Sequence, residues 1–371
     1  VTAWGFFPAL QFPAMGETQR RIDVADLADL ALGARLLGSG GGGRTSTGAA
    51  FAHAALRDRG PVRLLGTRDL PDDHTVVAVG VAGSSAFIEE RLPSTELATA
   101  VRTLLDLLDR PPFALLPLEI GGVNALLAVA AASMLDAPLL DADAMGRAFP
   151  RVEQTSLTAS GVAVAPAVLA VPDGTTLTVR GEDNLRVAGL IGANLPALGG
   201  WAATALYPCR ADVARTAAIP GSVSRALALG RSLREAGADP HDRPRFAASI
   251  GAEWLFDGVV AEVLRPDRAA PHLVVTLESA LPRQETLRLD AGDEFLLAAL
   301  DGRQVARVPD VIAVLSAREW SVLGVDALRP RQPVSVLRIP RPPIWDRLAA
   351  GDLVGPGAHE LGSLDTVAGP S

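Results

Sequence analysis

The chain has 371 residues, 49% of them hydrophobic, 20% charged and 4% aromatic. That is enough apolar content for a large packed core, one resting on Ala, Val and Leu rather than on rings, and it excludes a disordered chain. The formal net charge is -8 and every basic residue is an arginine; an acidic, lysine-free chain with no arginine cluster predicts no nucleic-acid partner, and it excludes Schiff-base chemistry and the phosphate lysine of a P-loop.

Cys209 is the one cysteine, so an internal disulfide and a Cys-rich zinc site are excluded on count. No apolar run reaches the ~18 residues of a membrane span. Val1 to Met15 lacks the basic region of a signal peptide. These features predict a cytoplasmic protein with no membrane partner.

In chain order, residues 1–22 read as an arm. Asp23 caps a helix with Val24, Leu27, Leu30, Ala31 and Leu37 at helical spacing. The helix stops at Gly38-Ser39-Gly40-Gly41-Gly42-Gly43, and Thr45 or Ser46 caps the next, to about Arg57. Strands follow at Val62–Leu65 and Thr75–Val81, a helix from Pro93 to Leu108, a strand at Phe113–Leu118, a helix over Val123–Leu135 and a short strand at Pro138–Leu140. This alternation predicts an α/β fold with a mostly parallel sheet and flanking helices over residues 23–183.

The texture then changes. Val162–Val171 and Thr175–Arg180 read as a hairpin, Ala202–Tyr207 as a strand, and Asn184–Leu195 and Ser222–Ala236 as helices. Six short β runs lie between Gly258 and Ile339. The second part, 184–365, is thus expected to be helical over 184–250, β-rich over 255–345 as a small barrel or sandwich, and to end in a tail to 365.

Chemistry concentrates at two strand ends. Glu119-Ile120-Gly121-Gly122-Val123-Asn124 follows one apolar strand, and Asp141-Ala142-Asp143-Ala144-Met145-Gly146-Arg147 follows another. Strand ends are where an open α/β sheet presents a site, so Glu119, Asp141, Asp143 and Arg147 are the catalytic candidates. Asn124, Glu90 and the backbone of Gly40, Gly41, Gly42 and Gly43 are the binding candidates. Paired carboxylates can hold a divalent ion or split into an acid and a base. Equally, Glu119 or Asn124 can simply start a helix, and Asp141 and Asp143 can form an Asx turn paired with Arg147. The glycine run lies between two helices, not after a strand, so it predicts no nucleotide cofactor. The five histidines read as surface or loop residues, with His53, just after the glycine run, the one worth testing.

Taken in order, the glycine run, Gly83 with Glu90, the Glu119–Asn124 segment, Asp141 through Phe149-Pro150, Val308-Pro309-Asp310 and Leu353-Val354-Gly355-Pro356 resemble the S-methyl-thiohydantoin desulfurase-like family over about Asp23 to Leu361. The resemblance implies an α/β domain followed by a β-rich one. It implies a small heterocyclic substrate of the hydantoin type, hydrolysis that replaces ring-bound sulfur by oxygen from water, and an association with zinc. Alternatives are a non-catalytic binding partner of a hydantoinase-like enzyme and a ring-forming or ring-opening enzyme; a homo-oligomer is compatible with all three. The chain departs from the family pattern at Gly83-Ser84-Ser85-Ala86 and at Leu289–Glu294. It departs again at Thr155–Gly161, where relatives often carry histidines.

Overall fold

A computed structural model describes residues 20–84, 88, 94–109, 111–265, 272–279 and 284–361. Most of the 1–22 arm, Glu90 and the last residues of the 365 tail lie outside the described residues. Alternation along apolar strands organises the first part: Val77, Val79 and Leu115 face one hydrophobic cluster, and Val76, Ala78, Ala114 and Leu116 face another. The resulting sheet has eight strands. Its centre is parallel, in the order Val62–Leu65, Leu139–Leu140, Phe113–Pro117 and Thr75–Gly83. Antiparallel strands widen it on both sides: Arg21–Ile22 at one edge, and Trp201–Arg210, Ala167–Ala170 and Thr176–Val179 at the other. It is therefore a mixed sheet with a parallel core.

Helices Leu27–Leu37, Thr45–Arg59, Glu96–Asp106, Asn124–Leu135 and Ser222–Ala238 contribute to the cluster on one face. Asn124–Leu135 is apolar all round and buried from Asn124 to Ser133, as befits a helix enclosed on every side. The opposite face is covered by Asn184–Asn194, Ala211–Ala217 and C-terminal residues including Trp345 and Val354.

The β-rich part is one antiparallel seven-stranded sheet curled into a half-barrel. Its order is Arg303–Arg307, Phe295–Leu300, Thr286–Ala291, Leu273–Glu278, Glu253–Leu264, Pro333–Ile339 and Val311–Ser316. Its concave side packs Phe256, Val275, Leu289, Phe295, Ile312 and Val336. Its other side joins the helical cluster of the first part through Val311, Ala313, Leu315, Leu337 and Ile339. Residues 237–244, polar and Pro-bearing as a linker would be, carry the end of the helix Ser222–Ala238, a short 3-10 turn and the start of the helix Arg243–Ser249. No described helix is long and apolar enough to cross a membrane.

Candidate active site

Two loops leave the parallel core side by side, one after Phe113–Pro117 and one after Leu139–Leu140, and an aspartate joins them. Asp143 accepts hydrogen bonds at Oδ2 from the amides of Ile120 (2.9 Å), Met145 (3.0 Å) and Gly146 (2.7 Å). Its other oxygen, Oδ1, is buried with no hydrogen-bond partner among the described residues. Ser222 lies beside it, but the Ser222 hydroxyl donates to the Ile219 carbonyl at 2.7 Å. Burial pushes the Asp143 carboxyl up to about 6 against the pull of the three amides.

Glu119 is tied to its neighbours through both oxygens. The Asn124 amide donates to Oε1 (2.6 Å) and the Phe149 amide to Oε2 (3.2 Å). Asn124 Oδ1 in turn accepts from the Val81 amide (2.8 Å), so this side chain bridges two strand ends. Burial, assisted by the charges of Glu294 and Asp143, pushes Glu119 up to about 8. Glu119 therefore stands as a neutral acid at pH 7, while Asp143 is mostly ionised.

Arg147 is 0% exposed. Its guanidinium donates to three carbonyls, those of Ala148 (2.9 Å), Asp310 (2.6 Å) and Phe295 (3.1 Å), the last two from the half-barrel. It stands 5.3 Å from the centre of the Phe149 ring. Burial lowers its pKa to about 10, against the charges of Glu294, Asp310 and Glu119.

Asp141 serves a different partner. It is partly exposed, and its Oδ1 accepts from the Ser224 amide (2.9 Å) in the first turn of Ser222–Ala238. The structure thus gathers Glu119, Asn124, Asp143 and Arg147 and turns Asp141 to a helix end. The glycine run closes over the group as a backbone crossing. The Gly42 carbonyl accepts from the Val123 amide (2.7 Å), and a Cβ on Gly122 would stand 2.0 Å from Gly42 O. A Cβ on Gly40 would strike the Phe295 ring, and one on Gly41 the Glu294 carboxylate. Gly43 adopts the positive φ of 76° that ends the run.

Two residues come to the site from distant sequence. Glu294, at the start of Phe295–Leu300, is buried beside Arg147 and the Gly42 amide, with Oε2 unpartnered among the described residues. Burial pushes it up to about 7, against the charge of Arg147. His359, expected at the surface, is instead 9% exposed and stacks on Phe149 at 6.3 Å. Desolvation lowers its pKa to about 4, so it is neutral. A carboxylate interrupting an apolar strand start was the signal for Glu294; for His359 nothing local distinguishes it. His53 is exposed on Thr45–Arg59. Cys209 is half-buried with its thiol pushed up to about 12 by burial, an unreactive form.

A cleft of about 300 Å³ opens beside Asp143, lined by Ile120, Gly146, Ser222, Arg225, Pro342 and Arg347 among others. Ile120 and Gly146 are the residues whose amides hold Asp143, so the carboxylate lies directly behind the cleft wall.

Two family models match adjoining parts of the chain: the S-Me-THD-like N-terminal domain over residues 25–181 and the S-Me-THD-like C-terminal domain over 182–368. The chain belongs to the S-Me-THD-like family. A crystal structure of a protein from Chromobacterium violaceum is similar to this S-Me-THD-like protein in fold, with a TM-score of 0.77 and 23% identity over 94% of this chain and 99% of that one. No curated protein matches it.

Zinc, which the family resemblance implies, needs several His, Cys or carboxylate donors converging on one point. Among the described residues no three such side chains group to hold a metal. Glu119 has both oxygens engaged, and Thr158, in the segment where relatives often carry histidines, bonds Tyr207 Oη at 2.7 Å. The side chains among the described residues do not fit a zinc site.

Proposed function

We propose that this S-Me-THD-like protein is a hydrolase of a small five-membered cyclic thioimidate or amide, bound in the cleft beside Asp143. One observation carries the reading: a fully buried carboxylate whose Oδ2 is saturated by three amides, two of them from cleft-lining residues, while Oδ1 has no described hydrogen-bond partner. Three donors on one oxygen fix the side chain, and the free oxygen is the one left to take a proton.

Water attacks the ring carbon that bears sulfur and gives its proton to Asp143 Oδ1. The C–O bond forms as the ring C=N π bond opens onto nitrogen, which receives the proton taken up by Asp143; the carbonyl then forms as the C–S bond breaks, and the sulfur leaves as a thiol with water's second proton. Glu119, neutral and electrostatically coupled to Asp143, is the acid of the pair and holds the proton that Asp143 lacks. Two carboxyls whose environments separate their pKa values are suited to this division of roles. Asn124 holds Glu119 in place, and Arg147 sets the charge balance of the group rather than touching substrate.

The test is hydrolysis of an S-methyl-thiohydantoin, followed by thiol release. Asp143→Asn is expected to lower kcat by about 10²-fold or more, the usual worth of a positioned base. The pH profile of the wild type is expected to rise through about 6 as Asp143 ionises. Wild-type turnover in Asp143→Asn would refute the assignment.

A further inference from the structure

The cleft holds more positive charge than this chemistry uses. Arg225 sits near the first turn of Ser222–Ala238, lines the cleft and is partly buried. Desolvation lowers its pKa, and the charge of Asp143 opposes that. Among the described residues no group accepts a hydrogen bond from its guanidinium, in contrast to Arg147 with its three carbonyls. Arg347 stands exposed at the rim, with one long contact to the Thr216 carbonyl (3.4 Å). The positive N-terminus of the 17-residue helix at Ser222 is already met by Asp141 through the Ser224 amide, so the arginines are the cations left to a ligand. Two arginines thus line a cleft that has the buried Asp143 carboxylate beside it. The remaining wall is apolar, with Ile219, Pro342 and Ile344. A partly desolvated guanidinium with no described hydrogen-bond acceptor gains from an anion placed against it.

We propose that the ligand of this cleft carries one carboxylate or an equivalent single anionic group, held by Arg225 with Arg347 at the rim, while its ring lies against Pro342 and Ile344. This deepens the ring-hydrolysis reading and rests on it for the ring, but not for the anionic handle. The planar fork of arginine suits a carboxylate taken through two parallel hydrogen bonds.

The experiment is calorimetric titration of the full chain and of Arg225→Gln, Arg225→Lys and Arg347→Gln with three probes. These are hydantoin-5-acetate, uncharged 5-methylhydantoin, and succinamate, which has the carboxylate without the ring. Hydantoin-5-acetate is expected to bind at least about tenfold more tightly than 5-methylhydantoin, the lower end of what a charge-assisted pair supplies. Arg225→Gln should abolish that preference and leave 5-methylhydantoin unchanged. Arg225→Lys should keep part of it, and Arg347→Gln, on an exposed side chain that threatens no fold, should cost the acid several-fold. Equal binding of the two hydantoins to the wild type, or a preference that survives both Arg225→Gln and Arg347→Gln, overturns the anionic handle and leaves the ring reading standing. Arg225-dependent binding of succinamate with no binding of either hydantoin supports the handle and sinks the ring. No binding of either acid at millimolar concentration overturns the proposal.

Discussion

Glu119 holds its proton because burial outweighs the two hydrogen bonds that favour its charge. Its carboxyl is pushed from 4.5 to about 8. The folded protein therefore keeps a proton that the unfolded chain has released above its ordinary pKa. Stability from this group is full below about 4.5 and is lost as pH rises toward and through about 8. Glu119→Gln cannot titrate. Its amide also places one donor against another, since both Asn124 and Phe149 donate here, so a pH-independent loss is expected beside the changed slope. Melting temperatures measured from pH 5 to pH 8 should fall less steeply in Glu119→Gln than in the wild type; parallel curves would contradict the buried neutral acid. At this scale much was legible. Glu119, Asn124, Asp143 and Arg147 lie in two motifs at strand ends, and those ends are neighbours in the sheet. Glu294 was not, because its proximity to Arg147 arises only when the half-barrel docks.

Close approach rather than propensity decides the glycines of the helix pair Leu27–Leu37 and Ser222–Ala238. A Cβ on Gly230 would stand 1.7 Å from Asp29 O, and one on Gly33 1.8 Å from Ala226 O. Propensity alone rates Gly→Ala inside a helix as a gain of about 1 kcal/mol. At Gly230 the sign reverses: Gly230→Ala must push two backbones apart, and overpacking of this kind costs about 1–3 kcal/mol. The same shift would loosen Asp29 from Arg231 (3.3 Å) and Arg234 (3.0 Å). Chemical denaturation should show a destabilised variant, and a more stable Gly230→Ala would disprove the tight crossing. The elements themselves were mostly legible, since helical spacing and apolar runs mark them. Arg303–Arg307 was not read as a strand, because an edge strand with mostly exposed side chains has no apolar alternation to betray it. The antiparallel flank escaped for another reason: Ala202–Tyr207 reads as a strand, but the pairing of Trp201–Arg210 with Thr75–Gly83 is a long-range event.

The two sheets are joined through Arg147, which makes this residue a property of the whole molecule. Its loop belongs to the parallel core, while the carbonyls of Asp310 and Phe295 belong to the half-barrel. Asp310 is itself fixed by Arg338 (2.8 Å) and Arg341 (3.4 Å), and Ser39 Oγ beside the glycine run donates to the carbonyls of Phe295 (3.2 Å) and Ile312 (3.1 Å). The docking is thus a chain of polar ties inside an otherwise apolar contact, where an unpaired group is expensive. Arg147→Met keeps the bulk and removes the donors. It strands three carbonyls and takes the nearest opposing charge from Glu294, whose pKa must then rise further. Breaking such a buried network costs about 3–5 kcal/mol. Among the five tryptophans, Trp201 lies in the first sheet and Trp254 in the half-barrel, so fluorescence follows tertiary packing in both parts while circular dichroism follows the backbone. Urea unfolding of the wild type, followed by fluorescence and far-ultraviolet circular dichroism, should give coincident transitions. In Arg147→Met the midpoint should fall and the two signals should separate, because the half-barrel would no longer be held to the parallel core. Coincident curves with a loss under about 1 kcal/mol, the level of an exposed ion pair, would show that the apolar contact alone couples the two parts.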